Sequence, residues 1–366
     1  MQKLTQKEFE NLYTTKTQLH DYDLSSIQIS PETLTGFVTY QSQDFVKGWT
    51  DNIIWPTEII KTLNPQQMLE SSKQPTEMNT VHGNGSTGKD IGIAIIDQRL
   101  FTEHPEYTDR IKHYEGVGPW PYNNTTTPDY HGSLVAGCAV GKTTGTAPDA
   151  DLYYFAAHNW PTDNKFFKAT EKLTGEKLQL GHRKFINMAI RRMLEINKTL
   201  PEHKKIRLLS CSWGEKDDQF RTETEALFDE CERNGIMVLG GYYKHSSTTT
   251  PCDKRYNNPT IRIGIPTNGK TTPFYKGGYV YSRLGGSSST IPYLAGVFAC
   301  ALQGNTIFCT RENWQDELIE IMKQTASEHP MGGKIINPTG IVERVSQIAR
   351  TMEMDLIKHQ ASQHEQ

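Results

Sequence analysis

The chain has 366 residues, which is enough for one large α/β domain with an extension or for two ordinary domains. Apolar residues make up 36% and charged residues 22% of the sequence, a composition that is typical of a globular enzyme and excludes a disordered chain. Lys and Arg (39 together) nearly balance Asp and Glu (42 together), so the sequence predicts no surface for binding nucleic acid.

The sequence also argues against export and membrane insertion. The N-terminal residues lack the apolar run of a secretory signal, and the longest mostly apolar stretches, 91–96 and 293–302, are shorter than the roughly 20 residues of a membrane helix. We therefore expect a cytoplasmic protein without a membrane partner. Its six cysteines have no zinc-binding spacing and are expected to be reduced thiols. They are Cys138, Cys211, Cys231, Cys252, Cys300 and Cys309.

Residues 1–80 are polar and lack a long periodic run, so they are predicted to form an N-terminal extension. Within it, 37–45 is expected to hold one or two short strands. The extension also carries large aromatic residues. We expect some of Phe45, Trp49 and Trp55 to dock on the domain that follows.

Apolar runs after this extension predict buried strands at 90–97, 151–157, 206–211, 236–239 and 260–265. Helical patterns lie between these runs, and in 182–197 the apolar residues fall on one face of an amphipathic helix. Strands that alternate with helices predict parallel βαβ units. We therefore expect an α/β fold in which a doubly wound, mostly parallel sheet has helices on both faces. Its functional site should lie beyond the carboxyl ends of the strands.

Three polar residues occupy positions where such a site is expected. Asp97 ends the apolar run DIGIAIID, His131 begins the small-residue segment HGSLVAGCAVG, and Ser288 lies in the serine-rich turn GGSSSTIPYLAG. Taken alone, each has a plain structural explanation, as a loop carboxylate, a core histidine or a helix cap. The small residues after His131 predict a tightly packed helix, which would hold the imidazole rigidly.

Together, the three motifs resemble those of the subtilisin-like serine proteases, the subtilases. They occur in the family's order of Asp, His and Ser, separated by 34 and 157 residues. The resemblance extends over about 83–346 and includes IINPTGIVERV near its end. It implies a peptidase domain over 81–350, followed by a helix end and tail over 351–366. The fold known for the family agrees with the doubly wound sheet predicted from periodicity.

The resemblance implies a catalytic role for each of the three residues. Ser288, four residues before Pro292, would be the nucleophile. His131 would be its general base, and Asp97 would orient the imidazole and stabilise its protonated form. The backbone N–H of Ser288 would supply one donor of the oxyanion hole.

The resemblance also implies a substrate-binding edge after the run 206–211. Ser212, Trp213 and Gly214 fall where the family pairs its backbone with that of a peptide or protein substrate. Trp213 replaces a smaller residue, and the sequence leaves open whether its side chain points so as to narrow or cap the adjoining pocket. The sequence leaves the cleavage specificity and the oligomeric state open.

One residue of the family pattern is missing. After the run 236–239 the family continues to an Asn whose side chain is the second oxyanion donor, whereas this chain reads GGYYKH. Four residues there carry competent donors: Tyr242, Tyr243, Lys244 and His245. Two functions therefore stay open. One is a serine endopeptidase that forms an acyl-enzyme on Ser288, and the other is a weak or inactive homologue that binds peptides as a regulator.

The extension acquires three alternative uses once the family is considered. Secreted subtilases carry a pro-segment of similar size that is cleaved off, so residues 1–80 would be an inhibitory pro-segment by that analogy. The absence of a signal peptide favours instead a retained segment that packs on the catalytic domain or recruits substrate. A partly ordered tail over 1–30 is the third alternative.

No cofactor is predicted. The segment AGCAVGKT, residues 136–143, satisfies a relaxed phosphate-loop pattern that ends at Lys142 and Thr143. A phosphate loop should follow a strand and open a helix, whereas this segment lies inside the helix predicted after His131, so ATP binding is not expected. Calcium is common in subtilases, but no carboxylate cluster here has calcium-ligand spacing, so no metal site is predicted.

Overall fold

The computed structural model describes residues 1–15, 18–38, 48–118, 128–157, 183–213, 221–244, 248–251, 262–283, 285–329 and 333–364. A central parallel sheet has the strand order β5-β6-β4-β7-β8. Its strands are β4 (Gly92–Asp97), β5 (Ile111–Gly116), β6 (Asp151–Ala156), β7 (Ile206–Cys211) and β8 (Met237–Gly240). The predicted α/β fold with a parallel sheet is therefore confirmed. Strand β5 was not predicted from the sequence, because this edge strand is mostly half-buried and lacks a continuous apolar run.

Helices cover both faces of the sheet. They are α6 (Tyr130–Val140), α7 (Arg183–Thr199), α8 (Arg221–Arg233), α9 (Ser287–Leu302), α10 (Trp314–Thr325) and α11 (Pro338–His364). Alternate residues of β4 enter two different cores. Ile95 packs in the core that contains α6 and α9, whereas Ile96 packs in the core that contains α7 and α8. Burial on both faces explains why the strand is apolar throughout.

Besides a two-stranded pair near the N-terminus, the described residues form two smaller sheets. One has the order β13-β14-β10-β9 and the other the order β11-β12-β3. Their strands are β3 (Gly48–Thr50), β9 (Thr249–Pro251), β10 (Ile263–Ile265), β11 (Lys270–Pro273), β12 (Tyr279–Ser282), β13 (Ser327–Glu328) and β14 (Lys334–Ile335). The described part of the run at 260–265, strand β10, therefore does not belong to the central sheet. An apolar run shows that a strand is buried, but it does not specify its partner.

The N-terminal extension is folded rather than merely polar. It contains β1 (Gln2–Lys3), α1 (Gln6–Thr15), β2 (Tyr22–Asp23), α2 (Pro31–Val38), β3, α3 (Thr57–Thr62), α4 (Pro65–Ser71) and α5 (Asn79–Gly83). The start of the segment expected to form strands, residues 37 and 38, belongs to helix α2. The rest of that segment, with Phe45, lies outside the described residues.

Strand β3 joins the extension to the following domain by antiparallel pairing with β12. Trp49 on β3 is 1% exposed, and its ring stacks on that of Tyr281 with a centroid distance of 4.4 Å. Trp55 meets Trp49 edge to face at 5.6 Å. Further along the cleft, the amide nitrogen of Gln18 donates a hydrogen bond to the hydroxyl of Tyr130 at 3.2 Å. Both tryptophans that the sequence singled out for docking are therefore buried in this region.

Helix α11 closes the described chain. It includes most of the stretch that was expected to be a helix end and tail, since it continues to His364. Towards its end the helix exposes three apolar residues, Met354, Leu356 and Ile357, among polar and charged ones. Among all the helices that the structure describes, none combines the length and apolar character needed to cross a membrane.

Candidate active site

Asp97 and His131 form a hydrogen-bonded pair at the carboxyl end of the central strand. Asp97 is the last residue of β4 and is completely buried, and His131 lies in the first turn of α6. The imidazole Nδ1 is 2.6 Å from Asp97 Oδ1, which also accepts the backbone N–H of Gln98 at 2.7 Å. An ionised carboxylate only accepts hydrogen bonds, so it places the proton of a neutral imidazole on Nδ1. The other nitrogen, Nε2, is then the basic one.

A close backbone approach makes this pair possible. Gly132 packs so tightly on the chain after β4 that a Cβ at this position would lie 2.7 Å from the carbonyl oxygens of Gln98 and Arg99. Any larger residue would push the start of α6 away from β4. The glycine that follows His131 in the sequence therefore has a direct part in positioning the imidazole.

The environment of His131 favours the protonated imidazole. Burial by itself lowers the pKa of His131, but the charge of Asp97 and its hydrogen bond outweigh burial, so that the pKa is raised above its ordinary value of 6.5. A base with this property takes up a proton readily and is stabilised while it holds it.

Ser288 lies in the first turn of α9, which begins at Ser287 after Gly286 as N-cap. Its backbone N–H therefore belongs to the first helical residues, which have no acceptor within the helix. Pro292, four residues later, has no N–H with which to bond the Ser288 carbonyl. The hydroxyl of Ser212 takes over and donates to this carbonyl oxygen at 2.8 Å. In return, Ser288 Oγ donates to the Ser212 carbonyl oxygen at 3.3 Å.

This reciprocal contact gives Ser212 a role that its sequence position alone did not indicate. The sequence placed Ser212 on a substrate-binding edge, whereas in the structure its side chain positions the turn that carries Ser288. The helix-interior proline was the available signal, because it leaves a carbonyl oxygen that another donor must satisfy.

His131 and Ser288 line one cavity of about 200 Å³. The cavity extends along α6, where Leu134 and Cys138 form part of its wall, and reaches Lys270 on β11. Burial raises the pKa of the Cys138 thiol to about 12. A thiol with this pKa stays protonated near neutral pH, so Cys138 is a poor nucleophile beside Ser288.

The side chain of Trp213, whose direction the sequence left open, packs in the core. Trp213 is 7% exposed, and its indole N–H donates to the carbonyl oxygen of Ile96 at 2.8 Å. Its ring also stacks beneath the sheet on Phe228 of α8. The side chain thus packs against β4 and supports it. Its burial is favourable because the indole N–H has a hydrogen-bond acceptor there. Gly214 lies outside the described residues.

The candidate oxyanion donors in the turn after β8, residues 240–244, have different environments. Tyr243 is 8% exposed and its hydroxyl donates to the carboxylate of Asp229, while the ammonium of Lys244 pairs with Glu232. Both side chains are therefore held on α8 instead of facing Ser288. Tyr242 has a left-handed backbone (φ 57°) and is 64% exposed. His245, the fourth candidate, lies outside the described residues.

The segment that satisfies a relaxed phosphate-loop pattern is mostly helical. Helix α6 continues to Val140, so the glycine-rich part of the pattern lies inside a helix instead of forming a loop before one. Within the described ranges, no group of three or more His, Cys, Asp or Glu side chains is arranged to hold a metal ion. The five cysteines that the structure describes are free thiols.

Two solved structures resemble this fold at low sequence identity. One, described as the structural basis of subtilase cytotoxin SubAB assembly, has a TM-score of 0.50 and 12% identity over 77% of this chain and 97% of that chain. Another, the prenylagaramide maturation protease PagA, has a TM-score of 0.48 and 14% identity over 73% of this chain and 98% of that chain. At such identities the first comparison supports the fold alone.

Sequence comparison is more specific. The chain is 31% identical over 80 residues to the subtilisin-like protease PopC of Myxococcus xanthus (strain DK1622). That match spans 20% of this chain and only 17% of the relative. A sequence model of the Subtilase family matches residues 88–340, which is well over half of the chain. The match begins just before β4, ends in α11 and includes Asp97, His131 and Ser288, so the chain belongs to the subtilase family.

Proposed function

We propose that this protein is a serine endopeptidase that hydrolyses peptide bonds through an acyl-enzyme on Ser288. The observation that carries the proposal is the Asp97–His131 hydrogen bond, with 2.6 Å between Oδ1 and Nδ1, which holds His131 on the same cavity as Ser288. Membership of the subtilase family supports a serine protease-like function.

The proposed reaction has two steps, acylation of Ser288 and hydrolysis of the acyl-enzyme, and all three side chains act in both. The Ser288 hydroxyl leaves its 3.3 Å contact with the Ser212 carbonyl by rotation about χ1 and donates to His131 Nε2. As Oγ attacks the substrate carbonyl carbon, its proton passes to Nε2, and Asp97 stabilises the resulting imidazolium. The same proton then goes to the leaving amine as the C–N bond breaks. Water repeats the sequence to release the acyl group and restore Ser288.

The negative charge that develops on the substrate oxygen needs at least one firmly placed donor. The Ser288 backbone N–H at the start of α9 is suited to this, because the helix dipole also favours negative charge there. For the second donor we propose Tyr242, since Tyr243 and Lys244 are held on α8. A tyrosine hydroxyl that closes over the bound peptide would take the place of the family's asparagine.

Peptides or proteins are the proposed substrates, bound along the chain that follows β7. Ser212 and Gly214 would offer backbone groups there, as an extended peptide adds to an exposed strand end. A catalytically inactive, peptide-binding regulator is the alternative, motivated by the missing asparagine. It requires Ser288 to be unreactive, and so the two functions are separated by the reactivity of a single hydroxyl.

A fluorophosphonate probe tests this difference. We expect wild-type protein to be labelled on Ser288 and Ser288→Ala to lose both labelling and peptide hydrolysis. Ser287→Ala, which removes the neighbouring hydroxyl, should still be labelled and serves as the matched control. Labelling that is absent from folded wild-type protein, or that persists in Ser288→Ala, would contradict the proposal.

We further propose that residues 1–80 stay attached in the active protein. Support comes from the pairing of β3 with β12, the burial of Trp49 and the position of Pro75 on the wall of the cavity. A pro-segment that must leave would take part of this wall with it. Intact mass measurement of the probe-labelled protein should find the extension still present. Labelled protein that consistently lacks residues 1–80 would show a removable pro-segment.

A further inference from the structure

The cavity shared by His131 and Ser288 contains polar groups that the proposed mechanism does not use. Three residues that line it, Thr267, Thr272 and Tyr293, have buried hydroxyls with no hydrogen-bond partner in the described protein. These residues are at most 6% exposed. An unpaired buried hydroxyl is unfavourable, so three of them around one cavity indicate a polar ligand.

Lys270 determines the charge that such a ligand would carry. It lies on the same wall, and apart from His131 it is the one ionisable nitrogen among the described lining residues. Its ammonium also lies 3.4 Å from the carboxylate of Glu77, which does not line the cavity. An ammonium has three N–H donors, so this long contact leaves it able to bind a second acceptor. An ammonium and three hydroxyls together suit a carboxylate.

The position of the cavity relative to the proposed cleavage site indicates which part of a substrate reaches it. The chain after β7 is the proposed edge for the part of the peptide that acylates Ser288, and neither Ser212 nor Trp213 is among the described lining residues. The cavity extends from Ser288 in another direction, between α6 and β11. At about 200 Å³ it is smaller than the roughly 300–1,000 Å³ of pockets for drug-sized ligands. It suits one side chain or chain end.

We propose that this cavity binds a carboxylate of the leaving peptide, with Lys270 as the specificity-determining residue. The inference rests on the proposed peptidase function. The carboxylate belongs either to an Asp or Glu side chain close after the cleaved bond or to the C-terminus of a substrate that loses its last residues. The N-terminal extension takes part, because Pro75 lines the cavity and Glu77 holds Lys270 in place.

The test uses the full chain and a synthetic peptide mixture in which every position is varied, with free and amidated C-termini in equal amounts. Mass spectrometry identifies both new ends of each product, and Ser288→Ala provides the blank. We expect Asp and Glu after the cut to be favoured over Asn and Gln by roughly tenfold, as for a charge-assisted hydrogen bond. Faster cleavage near free than near amidated C-termini would instead identify the terminal carboxylate.

Variants of Lys270 test whether the preference for carboxylates arises in this cavity. Lys270→Gln should reduce the preference about tenfold with little change in the rate on neutral peptides, and Lys270→Arg should retain most of it. Lys276→Gln is the matched control, because Lys276 lies in the turn between β11 and β12 and does not line the cavity. Thermal unfolding identifies a variant that fails to fold. The preference for carboxylates is measured on wild-type protein and therefore does not depend on any variant.

The outcomes separate this inference from the proposed function. Ser288-dependent cuts with no preference for carboxylates would overturn the inference and leave the peptidase function standing. A preference that Lys270→Gln leaves unchanged would overturn the role of Lys270. No Ser288-dependent cut, together with no fluorophosphonate labelling, would overturn the proposed function itself and the inference with it.

Discussion

Two regions of the proposed active site, the Asp97–His131 pair on β4 and α6 and the turn that follows β8, are held in different ways. Asp97 is completely buried and His131 is half-buried, their hydrogen bond is 2.6 Å long, and Gly132 makes a close backbone contact with the chain after β4. The turn has a left-handed residue, Tyr242, whose side chain is largely exposed. Protein contacts therefore preorganise the proposed general base, His131, whereas the proposed second oxyanion donor, Tyr242, would depend on contact with bound substrate. Catalytic geometry in this protein is therefore expected to be most sensitive on the β4 side.

The largest effect that would sharpen this comparison is expected for Asp97→Asn. The amide cannot stabilise imidazolium, so turnover should fall about 10⁴-fold. In the wild type, activity should be lost as pH falls through the raised pKa of His131, above its ordinary 6.5. Without the charge of Asp97, burial would lower that pKa, so the acid limb of the residual activity should move to lower pH. A pH–rate profile measures both changes, and an unmoved limb would contradict the role of Asp97.

On the side of the turn, Tyr242→Phe is expected to lower turnover about 10²-fold with little change in KM. An oxyanion donor acts in the transition state, and its loss in another subtilase has an effect of this size. Steady-state kinetics on one peptide substrate would measure it. If turnover stays at the wild-type level, the hydroxyl of Tyr242 is not a donor, and the turn has only a structural part.

A smaller effect is expected for Ser212→Ala. It removes the donor to the Ser288 carbonyl that Pro292 leaves without a helical partner. We expect turnover to fall roughly tenfold and the free energy of unfolding to fall by about 1–3 kcal/mol, the cost of an unpaired buried carbonyl. Ser212→Thr keeps the hydroxyl and is the control in both measurements. Equal behaviour of the two variants would argue against the positioning role.

The smallest effect on activity is expected for Tyr243→Phe. Its hydroxyl serves Asp229 on α8, so its loss should cost about 1 kcal/mol of stability and leave turnover unchanged. Chemical denaturation and the same peptide assay would measure both quantities. A large loss of turnover would mean that Tyr243 and Tyr242 had been assigned the wrong way round.

Secondary structure could be predicted from the sequence where burial alone determines which residue types a segment contains. The strands β4, β6, β7 and β8 follow from apolar runs, because a strand buried on both faces must be apolar at every position. Helix α7 follows from its amphipathic period. Strand β5 was not predicted because an edge strand is partly exposed, and the pairing partners of β10 could not be predicted because hydrophobicity does not encode them.

The sequence by itself determined the family, the order of the three catalytic candidates and the central α/β sheet, since each rests on contiguous motifs or on periodicity. Only the tertiary structure decided which donors of the turn after β8 are occupied, that Trp213 supports the sheet from behind, and that Lys270 shares a cavity with Ser288. These features depend on contacts between residues far apart in the chain. Such contacts form only when the folded chain brings distant residues together, through burial, competition for hydrogen-bond partners and strand pairing. A local pattern of residue types therefore does not predict them.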